Sequence, residues 1–211
     1  MAEIIDFKKD DKDMYYPKAE PSLIQIPEML FAAVDGKGSP NEPEGEYKAA
    51  VEILYSVQYT IKMSKKSSSV PKGYFDYVVP PLEGLWWISG KNQDFRDKSK
   101  YNWVSMIRLP GFVTQDVFKW ACDEAGKKKH IHTEKAYILK FTEGLCVQCM
   151  HLGPYDDEPK TLSLMDNFIS ENNLEKDLNE KRRHHEIYLS DPGKAEPAKI
   201  KTVLRVPVRK T

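Results

Sequence analysis

Apolar and polar positions recur along this chain with two periods, one helical and one extended. Tyr47, Val51, Leu54 and Ile61 recur at helical spacing and predict a helix over about 44–63, whose acidic start complements the helix dipole. Tyr55 and Tyr59, four apart, add an aromatic stripe beside that face. Thr114 is suited to cap a second helix running to about 125, with Val117, Ala121 and Ala125 inward and Gly126 as its stop. A third helix is expected over 158–172, burying Leu162, Met165 and Ile169. Strands are expected at 23–34, 74–79, 82–89, 101–109, 184–189 and 201–208. The pair 136–141 and 145–152 reads as a hairpin around Glu143-Gly144. Polar loops are expected at 65–73 and 90–100, and a charged connector at 176–183.

The order β-α-β-β occurs twice, over about 23–109 and 136–209, with the helix at about 114–126 between them. Residues 1–20 read as a loose polar arm. Residues 21–211 then form one α+β domain of two pseudo-repeats: antiparallel sheets with helices on one side and a ligand groove between the halves. Matching the repeats places Asp76 roughly where Glu186 falls.

Composition narrows the function. Lys+Arg and Asp+Glu number 32 each in 211 residues, so no net field draws the chain to nucleic acid or to an anionic membrane. No apolar run reaches membrane-span length, and the charged start at 6–13 lacks a signal-peptide core. Three cysteines make a disulfide framework unexpected and favour a cytoplasmic setting. Cys146 and Cys149 fall on opposite faces of a strand, and His130 and His132 sit among lysines, so no metal is expected. No phosphate loop, dinucleotide fingerprint or Gly-x-Ser-x-Gly motif occurs, and no cofactor is expected. The expected partner is an aromatic or cationic small molecule. Oligomeric state is left open, a monomer included.

The densest chemistry is at 184–192, His-His-Glu-Ile-Tyr-Leu-Ser-Asp-Pro. In a strand, His185, Ile187 and Leu189 point one way and Glu186 and Tyr188 the other. The second face is either solvated, as antiparallel sheets allow, or a pocket wall. A carboxylate beside an aromatic ring suits a flat, electron-poor or cationic ligand.

Together with Pro-Leu-Glu-Gly-Leu-Trp-Trp at 81–87 and His-Leu-Gly-Pro-Tyr at 151–155, this stretch resembles the GyrI-like small-molecule-binding domain, over about 23–209. The resemblance implies the duplicated fold above, with Glu186 as the acidic groove residue that meets cationic aromatic drugs in multidrug-sensing transcription activators. Only about twenty polar residues precede the first strand, too few for the helix-turn-helix of such regulators. The chain therefore resembles a standalone member, of the branch that hydrolyses cyclopropane-containing DNA-alkylating toxins. On that reading Glu186 is the general base, and Tyr155 or Tyr188 supplies an acidic hydroxyl to the developing phenolate. Trp86, Trp87, Trp103, Tyr55 and Phe118 are the candidate aromatic walls, with only one of the adjacent Trp86 and Trp87 facing the ligand. Glu83 is a second carboxylate, either lining the pocket or solvated. The alternatives are a non-catalytic protein that sequesters aromatic cations, or a protein-binding inhibitor of an enzyme such as DNA gyrase.

Overall fold

The computed structural model describes residues 4–67, 70–90 and 97–211. In chain order its elements are α1 (Phe7–Asp10), α2 (Lys12–Tyr15), β1 (Ser22–Lys37), α3 (Glu46–Met63), β2 (Leu82–Ile88), β3 (Tyr101–Arg108), α4 (Gln115–Lys129), β4 (Tyr137–Leu152), α5 (Glu158–Glu171), β5 (Leu174–Lys176), β6 (His184–Tyr188) and β7 (Lys201–Lys210). The fold is α+β and its strands pair antiparallel; β1-α3-β2-β3 precedes α4, and β4-α5-β5-β6-β7, with the short β5 added to the expected order, follows it. Much of the loop expected at 90–100, and part of that at 65–73, lies outside the described residues. Among the described residues no helix is long and apolar enough to cross a membrane.

The chain forms two compact units. The first comprises Met1–Asp10, Met29–Pro80 and Trp87–Phe141, and the second Asp11–Glu28, Pro81–Trp86 and Thr142–Thr211.

In the first unit, β1 pairs with β3 from Phe31↔Arg108 to Lys37↔Asn102. Helix α3 buries Ala50, Ile53, Leu54, Val57, Gln58 and Ile61 and packs on β3 and α4. Gln58 is fully buried, and its Nε2 donates to the carbonyls of Ile107 and Arg108 at 3.2 and 3.1 Å. Thr114 caps α4, accepting from the Val117 N–H at 3.3 Å. The helix does not stop at Gly126 but runs on to Lys129 and ends at His130, whose φ is 58°. A Cβ on Gly126 would lie 3.2 Å from the Ile131 carbonyl, so this glycine admits the returning chain. Residues 74–79 form no strand: Tyr77 makes only an isolated bridge with Ile5. Asp76 instead pairs with Lys62 at 3.2 Å and with Lys65. The hydrogen bond from Lys65 is the largest influence holding its carboxyl down at about 2.

In the second unit, β2 pairs with β6, β6 with β7, and β7 with β4 and β5. One sheet face packs on α5 through Val147, Cys149, Met165, Ile169, Leu204 and Val206, with Leu162 at the edge. The expected hairpin at 143–144 is absent, because β4 is one continuous strand. Gly144 lies within it at φ 77°. Glu143 and Gln148 both accept from Arg205. The segment expected as a loose arm is also built in, for α2 buries Tyr15 at 1% exposure.

Candidate functional site

Strand β6 sorts its side chains by parity, as the alternation predicts. His185 and Ile187 are fully buried, whereas His184, Glu186 and Tyr188 are half-buried on the other face. On that face Gly84 of β2 lies opposite Glu186. Nε1 of Trp86 donates to the Tyr188 phenol oxygen at 2.8 Å, and the phenol donates in turn to Glu186 Oε2 at 2.7 Å. His184 Nε2 lies 3.3 Å from Glu186 Oε1. Gly84 makes this arrangement possible: a Cβ there would stand 2.6 Å from Trp86 Nε1 and 3.2 Å from the Tyr188 oxygen. The Glu186 side chain keeps 15% exposure, enough for water to reach it in a partly desolvated setting.

The His-Leu-Gly-Pro-Tyr turn brings a further member. His151, itself buried, bridges the Thr161 hydroxyl at 2.9 Å and the Pro154 carbonyl at 3.1 Å. A carbonyl can only accept, so Nε2 donates to Pro154, while the Thr161 hydroxyl, donor and acceptor alike, meets Nδ1. Gly153, at φ 130°, completes the turn. Tyr155 follows, its ring edge-on to Tyr188 with centroids 6.0 Å apart. Burial, then the negative charges of Glu158, Glu186 and Asp191, push its phenol up to about 12.

The opposite face of the same strands holds a buried charge cluster. His185 Nδ1 meets Glu143 Oε2 and its Nε2 meets Glu83 Oε2, each at 3.0 Å. Arg205 Nη1 donates to Glu143 Oε2 at 3.2 Å, and its Nε donates to Gln148 Oε1 at 3.2 Å. All five side chains are at most 3% exposed. Two carboxylates and two cations balance. Burial opposes the charge on His185, but Glu143 and Glu83 outweigh it and lift its pKa to about 9. Burial likewise opposes ionisation of Glu143, yet His185 and Arg205 hold its carboxyl at about 2. The cluster also grips α2: Tyr15 O–H donates to Glu83 Oε1 at 3.2 Å, Gln148 Nε2 to the Asp13 carbonyl at 2.7 Å, and Arg205 Nη2 to the Met14 carbonyl.

Of the residues expected at the site, the structure thus brings together Glu186, Tyr188, Trp86 and Tyr155. Glu83 is not beside the rings, because it points from the other side of β2 into the charge cluster. Trp87 follows Trp86 along the strand, points the opposite way and is half-buried. Trp103 is core, lying over Gly36 and edge-on to Tyr47 with centroids 5.2 Å apart. Phe118 is core on α4 at 2% exposure. Tyr55 stacks on Tyr59 in a cleft between α3 and α4. Asp76, matched to Glu186 through the repeat, is a lysine-paired residue outside any strand. His184 and Gly84 escaped the sequence reading. Both had a signal: parity puts His184 on the face of Glu186, and a glycine within a strand marks a close approach.

The crystal structure of an uncharacterized conserved protein from Listeria innocua is similar to this chain, with 49% identity and a TM-score of 0.92, covering 97% of this chain and 100% of that one. A hydrolase from Listeria innocua is 47% identical, with a TM-score of 0.89 and the same coverage. A second structure described as a Listeria innocua hydrolase is 48% identical, with a TM-score of 0.90, covering 98% of this chain and 100% of that one. The EcmrR C-terminal domain, at 12% identity and a TM-score of 0.53, shares the fold, over 91% of this chain and 98% of that one. No curated protein matches. The model of the GyrI-like small molecule binding domain matches residues 19–209, and the chain belongs to that family.

Proposed function

We propose that this protein is a cytoplasmic enzyme that binds flat aromatic molecules and hydrolyses those carrying a cyclopropane conjugated to an electron-poor ring. The observation that carries the reading is the partly open carboxylate of Glu186, set beside Trp86, Tyr155 and Tyr188. The hydrolase descriptions of two Listeria innocua relatives support a reaction with water.

In the proposed reaction, a water on Glu186 attacks the strained ring carbon. An O–C bond forms, the ring C–C bond breaks, and its electron pair moves through the conjugated system to a carbonyl oxygen. Glu186 takes the water's proton. Tyr155 stabilises the developing phenolate by donating a hydrogen bond. Its raised pKa keeps that donor protonated near neutrality, so it differs from the acidic hydroxyl expected from sequence. The Tyr188 proton is committed to Glu186, which makes Tyr188 an orienting residue. His184, beside Oε1, passes the proton to solvent, and solvent protonates the phenolate. The product is substrate plus one water.

Glu186→Gln tests the reading. Turnover should fall about 100-fold or more, the usual size of a general-base contribution, with little change in melting temperature. Unchanged turnover would overturn it. One observation favours a second reading, sequestration of aromatic cations without chemistry: Tyr188 and His184 already engage both oxygens of Glu186. Mass spectrometry separates the two, since only catalysis yields a water adduct.

A further inference from the structure

Helices α3 and α4 enclose an open cleft of about 510 Å³ that has no part in the reaction above. Small-molecule sites span roughly 300–1,000 Å³. The walls are aromatic. Tyr55 and Tyr59 stack with ring centroids 6.4 Å apart and planes 29° apart, and Trp120 of α4 also lines the cleft. Tyr59 is 52% exposed and its neighbour Met63 40%. The two lie one turn apart on α3, and both line the cleft.

The polar lining says what the cleft would hold. Ser64, in its lining, is 1% exposed, and its hydroxyl has no hydrogen-bond partner among the described residues. That hydroxyl is closed off from solvent, so it belongs to the wall behind the cleft and not to the surface a ligand meets. Lys128 and Lys129 also line the cleft, and neither has an ion pair among the described residues. The helix dipole favours basic residues at this end of α4, but it does not account for the rings beside them. Of the acids in the lining, Glu124 is engaged by Lys127 at 3.3 Å, which leaves Glu52 against two unpaired lysines.

We infer that this cleft is a second ligand site, for a planar aromatic carboxylate. The ring lies against Tyr59 and Trp120, and the carboxylate meets Lys128 and Lys129.

The test is calorimetric titration of the full chain with 2-naphthoate and with the cation 2-naphthylmethylammonium. Naphthoate should bind saturably and the cation more weakly. Tyr59→Ser, and Lys128→Ala with Lys129→Ala, should each weaken naphthoate by about tenfold, the scale of a lost stacked ring or ion contact. The lysine pair should also erase the preference for the anion. All three positions are exposed, so the variants fold. Glu186→Gln should leave naphthoate affinity unchanged, which separates this site from the reaction site whichever way that variant's turnover falls. No saturable binding would overturn the inference. So would equal affinity in the lysine variant, or loss of binding in Glu186→Gln. A concentration-dependent dimer that Tyr59→Ser dissociates would overturn it too, by making the cleft a contact between copies.

Discussion

The indole N–H of Trp86 reaches the phenol oxygen of Tyr188 at 2.8 Å across the bare backbone of Gly84. The two rings are large and hold each other in place, so neither yields easily to a methyl group inserted between them. Gly84→Ala should destabilise the protein by about 1–3 kcal/mol, the usual cost of overpacking, and should lower turnover by turning Tyr188 from Glu186. Urea unfolding with single-turnover assays checks this. A variant with wild-type stability and rate would show that Gly84 has no such role.

The buried cluster predicts how stability depends on pH. His185 is lifted from 6.5 to about 9, so its contribution is complete below pH 6.5 and is lost as pH rises through about 9. Glu143 is depressed from 4.5 to about 2, so its contribution is complete above pH 4.5 and is lost as pH falls toward 2. Unfolding free energy should therefore decline between pH 6.5 and 9. His185→Gln should be less stable than wild type at pH 6, with the gap closing by pH 9. Parallel stability curves for the two proteins would mean that His185 is not charged in the folded state.

Parity along β6 was legible in the sequence because alternation is a local property, and it placed Glu186 and Tyr188 correctly. Glu83 was not legible. Whether a carboxylate is buried depends on partners far along the chain, here His185 at 102 residues' separation. Nothing near Pro80-Pro81 announces them. Glu143-Gly144 reads as a hairpin turn because such turns favour a glycine at positive φ, yet the strand runs on through it with Gly144 at φ 77°. The polar composition of residues 1–20 concealed one inward residue, Tyr15, whose hydroxyl is bound by that same Glu83.

His184 offers a sharper test of the proposed proton path than loss of activity alone. Its Nε2 stands 3.3 Å from Glu186 Oε1, with 21% side-chain exposure linking it to solvent. His184→Ala should slow turnover by about 10-fold or more, within the range of a proton-transfer contribution. Free imidazole should restore part of that loss in proportion to its neutral form, whereas a purely structural role would leave imidazole without effect. Glu186→Gln should not be rescued, since imidazole cannot replace a base fixed beside the attacking water.

The last prediction concerns α2, which the cluster holds by three bonds. Tyr15 O–H donates to Glu83, and the Asp13 and Met14 carbonyls accept from Gln148 and Arg205. Tyr15→Phe preserves the buried ring and removes only the hydroxyl. A hydrogen bond to a charged group is worth about 1.5–3 kcal/mol, so the variant should lose stability of that order. Removing residues 1–16 should cost more, because it also strips Arg205 of a partner and exposes it to water. Hydrogen exchange distinguishes this from a general weakening. In Tyr15→Phe the amides of β6 and β7 should exchange faster, while those of α3 keep wild-type protection. Uniform acceleration across both units, or no change in β6 and β7, would show that α2 does not brace the cluster.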